Sequence, residues 1–257
     1  MRLRRRERID RGAKVRTEGI YAFSSGHDLS YLLVPRLLFI LALLIIPLVM
    51  PSVYYQRIIC LVGVYGLLAI SFDFLLSQVG LVSLGGALFC GVGAYIAGAL
   101  NYYFGLPIGL TIPAAVIGGA VICTLLLLPC LPLRGIYFAI ASFVYPLLLT
   151  RTVVATGILG STEGLPRLAT FPNIWFSVYL MVGVIFLVVF GLRRLASEDI
   201  GLIFRGIRDN DQAVKASGIS ITAYKVRAVF IASVIGCFAG AYLCHLYGWA
   251  GTTQFAL

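Results

Sequence analysis

The chain has 257 residues, of which 60% are hydrophobic and 12% charged, and a mean hydropathy of +0.99. A soluble domain carries about 25% charged residues, so the composition excludes a water-soluble protein and indicates an integral membrane protein. The formal charge of +10 does not point to nucleic acid, because eight of the twenty Lys and Arg fall within the first sixteen residues, MRLRRRERIDRGAKVR. A basic run without interleaved aromatics, placed ahead of apolar spans, suits anionic lipid at the cytoplasmic membrane face; no nucleic-acid partner is expected.

Residues 1–36 are therefore read as a basic cytoplasmic N-terminal tail, and no small-residue cleavage site marks it as a signal peptide. Seven hydrophobic segments follow, at 37–55, 58–76, 84–104, 108–128, 136–154, 174–192 and 226–247. Segments of about twenty residues cross roughly 30 Å of hydrocarbon as helices, which predicts an all-α polytopic bundle rather than a barrel. The third segment is the irregular one. It opens in GLVSLGGALFCGVGAY at 80–95, where Gly80, Gly85, Gly86, Gly91 and Gly93 interrupt an apolar run. Such glycines let backbones pack closely and let a span break where protein covers the freed groups, so a broken or re-entrant element is expected here.

Charge sets the orientation. With the N-terminus cytoplasmic, seventeen of the twenty Lys and Arg lie inside, and only Arg57, Arg151 and Arg167 lie outside. The inside loops are then 77–83, 129–135 and 193–225, and the outside ones 56–57, 105–107 and 155–173. The stretch 193–225 is the one sizeable polar segment after the first span. Ser197, Glu198 and Asp199 supply a helix start. Asp209 and Gln212 have capping-box spacing, and Gly218 is placed as a C-terminal stop, which predicts a short helix over 210–217. Ala213, Val214 and Ala216 give it small apolar groups among charges. It reads either as a solvated connector or as a docking helix for a cytoplasmic partner.

Chemistry of the catalytic kind is absent from the pattern. The six cysteines, Cys60, Cys90, Cys123, Cys130, Cys237 and Cys244, form no CxxC pair, and His27 and His245 stand far apart, so no metal site is expected. No phosphate-binding GxxxxGK[ST] loop occurs, and the carboxylates form no catalytic pair. The chain is not expected to be an enzyme or to bind a cofactor itself.

Three stretches carry a resemblance. GLVSLGGALFCGVGAY is similar to the pattern G-Q-x-S-L-G-H-x-x-F-x-G-x-G-A-Y; LRGIYFAIASF at 133–143 is similar to L-R-G-x-Y-F-A-I-x-T-L. The region 200–243 resembles a cytoplasmic loop bearing E-A-A-x-x-x-G followed by an Ala- and Gly-rich helix. Ser161, Glu163, Gly164 and Leu165 are similar to an external T-G-G-S-x-G-L. In this order, and over nearly the whole chain beyond about residue 55, these motifs resemble the permease of branched-chain amino acid ABC importers, in particular its M-type subunit. Departures occur: Leu81 replaces Gln, Gly86 replaces a polar residue, Asp73 stands where Asn is common, and Gln212-Ala213-Val214 replaces Glu-Ala-Ala. The end at TTQFAL makes the 37–257 permease domain look shortened relative to the family.

The resemblance implies a translocating subunit in a bacterial or archaeal inner or plasma membrane, moving leucine-type amino acids. It implies a homologous permease subunit as partner, an extracytoplasmic binding protein that delivers substrate, and two cytoplasmic ATP-binding subunits that hydrolyse ATP. Docking of those subunits falls on Asp209, Gln212, Ala213, Val214 and Gly218. Candidates for the substrate pathway are Asp73, Ser83, Gly85, Gly86, Tyr137 and Ser142, with Tyr145 weaker. Asp73 is the one ionisable residue well inside a span, where lipid exposure costs about 2.5–3.5 kcal/mol on insertion scales. Other readings are a urea or amide importer of the same type, an ion-coupled secondary transporter using Asp73, and a membrane scaffold without transport.

Overall fold

A computed structural model describes residues 52–133 and 135–256. The tail and most of the segment expected at 37–55 lie outside the described residues. Among those described, six helices are long and apolar enough to cross a membrane. They are α1 (Val53–Phe74, prolonged by a π-helical turn over Leu75–Val79), α2 (Gly86–Phe104), α3 (Ile108–Leu127), α4 (Ile136–Thr156), α5 (Ile174–Ser197) and α7 (Ile221–Tyr247). Between the last two lies α6 (Asp199–Ala216), too polar to be a span.

Three boundaries differ from expectation. Helix α1 begins at Val53, so residues 56–57 are helical rather than a loop. Arg57 sits exposed in its second turn, where a long stem can carry the guanidinium to the membrane surface without ending the helix. The glycine-rich span is not broken inside: α2 runs unbroken for 19 residues, about 28 Å. The interruption precedes it, at 80–85, where Gly80 is left-handed (φ 73°) and ends the π turn of α1. Finally, the polar stretch is helical from Asp199 onward, with a kink at Asn210 (φ −156°, ψ 95°), so the expected short helix is its second half.

Helix α7 forms the centre. Within its most apolar stretch 78% of residues are buried, against 22% for α4 and for α5. It packs on α2, α3 and α1, and its contact with α2 is backbone on backbone. A Cβ at Gly93 would fall on the Cys237 backbone, with Cα 2.6 Å away, and one at Gly240 would fall on Cys90, with its carbonyl carbon 2.7 Å away. Gly236 faces Phe89 in the same seam, and a Cβ at Gly119 of α3 would lie 2.8 Å from the Cys237 sulfur. In lipid no hydrophobic force drives helix against helix, so close van der Waals fit through small residues is what holds such a pair.

A second cluster joins α1, α5 and α7 through Cys60, Val64, Leu67, Val178, Met181 and Tyr242. There the Tyr242 hydroxyl donates to the Ser177 carbonyl (3.0 Å) and meets the Ser177 hydroxyl at 2.6 Å. At the bundle end opposite α6, the loop 157–173 folds onto the segment after α7. Leu165 and Ala250 exchange backbone bonds of 2.7 and 3.1 Å, and the Trp249 indole donates to the Glu163 carbonyl. Asn101 accepts from the Ala169 amide at 2.8 Å. His245 is fully buried, with one ring nitrogen 2.8 Å from Thr111 Oγ1 and the other 2.8 Å from the Ala169 carbonyl. Phe255 then turns back into the bundle, stacks on Tyr95 at 5.5 Å and fills the space beside Gly91.

Gly93→Ala is expected to destabilise the detergent-solubilised protein by on the order of 1–3 kcal/mol through overpacking, a fall of roughly 2–12 °C in melting temperature. Gly118→Ala, whose Cβ meets nothing within 4 Å, is expected to hold or raise it through helix propensity. Thermal unfolding followed by tryptophan fluorescence compares the two.

Candidate functional site

Two regions carry the residues singled out from sequence. The first is the interruption at 80–85 and its anchor on α4. Ser142 is fully buried one and a half turns into α4; its hydroxyl accepts from the Leu84 amide at 2.9 Å and donates to the Ala139 carbonyl at 2.9 Å. Ser83 is buried as well, and its hydroxyl accepts from the Gly85 amide at 3.2 Å. The two serines thus fix the entry to α2, because each satisfies an amide that the departing helix leaves unpaired. At Gly85 an added Cβ would lie 3.2 Å from Ser83 Oγ and 3.7 Å from Ser142 Cβ, whereas at Gly86 it would meet nothing within 4 Å. Ser83, Gly85 and Ser142 are therefore brought together, with Gly86 next to them on open space.

Asp73 and Tyr137 stand elsewhere. Asp73 is exposed on α1 and borders a shallow cavity of about 170 Å³ with Ser77, Gln78 and Arg193. Tyr137 is 68% exposed in the first turn of α4. Tyr145 reaches back to Cys130, hydroxyl to sulfur, at 3.5 Å.

The second region is α6. Its kink gives Asn210 the extended backbone of a helix N-cap, and the Asn210 side chain accepts from the Ala213 amide at 3.1 Å. The cap is thus one residue later than the Asp209–Gln212 spacing predicts. The Asp209 carboxylate is instead engaged by Arg208 Nε at 2.9 Å. The second half ends as expected: Gly218 N donates to Lys215 O (3.0 Å) and Ile219 N to Val214 O (3.4 Å), the paired bonds of a Schellman stop, with Gly218 left-handed at φ 77°. Gln212, Ala213 and Gly218 are exposed and Val214 half-buried against Gly206. This half-helix presents a small, rigid, solvent-facing knob.

Between the two regions lies a polar cavity of about 380 Å³ lined by Gly80, Leu81, Gly135, Arg208, Asn210 and Gln212, among others. Arg208 spans it, donating through Nη1 to the Ser77 carbonyl in the π turn. Lys225, buried at the start of α7, donates to the Leu131 carbonyl at 3.4 Å. Sequence reasoning did not reach these contacts, because each ends on a backbone carbonyl that no side-chain motif records. It also passed over buried polar atoms with no hydrogen-bond partner among the described residues: the Tyr95 hydroxyl, the Gln78 side-chain oxygen and the whole Gln56 side-chain amide. Tyr95 closes the glycine motif, and that position was its only signal. Among the described residues no group of three His, Cys, Asp or Glu could hold a metal ion.

The family described as the branched-chain amino acid transport system permease component matches residues 54–255. The high-affinity branched-chain amino acid transport system permease protein LivM of Salmonella typhimurium is 26% identical over 86% of this chain and 60% of its own length; LivM of Escherichia coli K12 gives the same figures. The chain thus spans about 60% of the length of these relatives. No solved structure matches it. With a match that takes in both the interruption before α2 and the polar helix α6, the chain belongs to the family of branched-chain amino acid transport permeases.

Proposed function

We propose that this chain is a membrane permease subunit of an ATP-driven importer, and that it carries branched-chain amino acids inward. The observation that supports this most is the exposed, Schellman-stopped half of α6 beside the interruption before α2. A transporter powered by separate ATPases needs a stiff element projecting from the bundle, and a capped turn of small side chains fits a groove at low entropy cost. Gln212, Ala213, Val214 and Gly218, with Asp209 at the edge, form that element. Two ATP-binding subunits dock there and bind and hydrolyse ATP, which this chain does not. A homologous permease subunit completes the path, and an extracytoplasmic binding protein loads it.

The end of the bundle bearing α6 faces the cytoplasm, as does the basic N-terminal tail, and the membrane is the inner or plasma membrane of a bacterium or archaeon. The positive-inside distribution supports this, since Arg193, Arg194, Arg205, Arg208, Lys215, Lys225 and Arg227 all gather at that end. The path runs beside Gly85 and Gly86, where Ser83 and Ser142 hold the chain and bulk is absent. Tyr137 and Asp73 lie apart from it. The exposed position of Asp73 gives no support to an ion relay, so the ATP-driven reading is preferred to ion coupling.

Three measurements test this reading. In a chain cleared of native cysteines, Thr162→Cys is expected to react with an impermeant thiol reagent outside intact cells, and Ser220→Cys only after the membrane is opened. Gly218→Val forces a β-branched residue into the left-handed region at a cost of about 1–2 kcal/mol. Recovery of ATPase subunits with the permease should fall about tenfold, while membrane insertion is unchanged. Gly86→Leu places bulk in open space, so uptake of radiolabelled leucine into vesicles is expected to stop without loss of thermal stability.

A further inference from the structure

We propose that Arg208 is the positioning residue that passes movement of α6 to the interruption before α2; this rests on the docking reading of α6. Leu75–Val79 closes its backbone bonds one residue further along than an α-helix does, and the chain then leaves the helix through left-handed Gly80. The carbonyls of a helix end need donors from elsewhere. Gly80 N and Leu81 N satisfy Leu76 and Leu75, and the Ser77 carbonyl is met by Arg208 Nη1 from 131 residues away.

The same side chain makes a second contact there. Its stem covers Gly80 so closely that a Cβ on that glycine would lie 2.9 Å from Arg208 Cγ and 3.4 Å from its Cα. Arg208 Nε holds Asp209 at 2.9 Å, which fixes the plane of the guanidinium fork. Two residues further on, the Asn210 cap joins this anchor to the docking half of α6. On the far side, Gly80 is four residues from Leu84, whose amide is tied to Ser142 of α4. A displacement of the docking half is thus carried by one side chain into the π turn, through six residues of non-helical chain, and into α4. These six residues form no helical ladder of their own, so their position follows the two anchors at Ser77 and Ser142.

The test uses the full transporter complex in proteoliposomes with its ATPase subunits and leucine-loaded binding protein. Arg208→Met keeps the stem over Gly80 and removes the donors to Ser77. It is expected to retain the ATPase subunits and their hydrolysis while leucine taken up per ATP falls at least tenfold. Arg208→Lys, which restores a donor at similar reach, is expected to recover at least half of the native ratio. A native ratio in Arg208→Met overturns the proposal, and so does loss of the ATPase subunits from that variant alone, which would make Arg208 part of the docking surface. Failure of the unmodified chain to hold any ATPase subunit overturns the docking reading, and this inference with it.

Discussion

The fold depends on the contact between Gly93 and Gly240 and the backbones they face. Each glycine lets the other helix's main chain come within a distance that no side chain permits, so α2 and α7 meet as two bare surfaces. Because lipid is as apolar as a helix face, separation of the pair is opposed by lost dispersion contacts and not by water. The rest of the bundle is arranged on that seam. Helix α3 leans on it through Gly119 and Cys123, α1 through the Ser71 hydroxyl donating to Ala232 O at 2.9 Å, and Phe255 closes it at one end beside Gly91.

The two ends of the bundle are held by different chemistry. At the end opposite α6, backbone pairs and polar side chains tie the loop 157–173 to the segment after α7. That loop contains three non-glycine residues in the left-handed region, Leu159, Ser161 and Arg167. Such conformations persist where surrounding bonds over-determine them, and the Leu165–Ala250 pair, the Leu168–Gly248 bond and the Trp249–Glu163 bond supply that restraint. At the α6 end the fastenings are long cationic side chains on carbonyls, Arg208 on Ser77, Lys225 on Leu131 and Arg205 on Ala196.

Much of this was legible in the sequence, and the exceptions have physical causes. Span positions follow from apolar length, so α2, α3, α4, α5 and α7 lie close to the segments read from composition. Arg57 misled because a single cation near a helix end need not end the helix. Gly218 was readable as a stop, since few residues other than glycine take its conformation, but the cap moved from Asp209 to Asn210 because Arg208 claims the carboxylate. The glycines of α2 were visible as a run, whereas the fit of Gly93 against Cys237, and of Gly240 against Cys90, requires knowing which helix lies opposite. Ser83 and Ser142 were legible as polar groups in apolar segments; that both would spend their bonds on the backbone of one loop was not. The π turn has no sequence signature here at all.

The α2–α7 seam also limits how this molecule can change shape. A slide by one turn would carry Ala97 onto Cys237, or Cys244 onto Cys90, because residues four apart share a helix face, and a side chain would stand where only a hydrogen fits. The pair therefore behaves as a keyed joint: it can rock as a unit but cannot ratchet. Helix α4, with most of its surface outward and its ties to the neighbouring chain few, has no such key. Conformational freedom in this subunit is thus apportioned by glycine placement, with a fixed pivot at the centre and the travel left to the periphery.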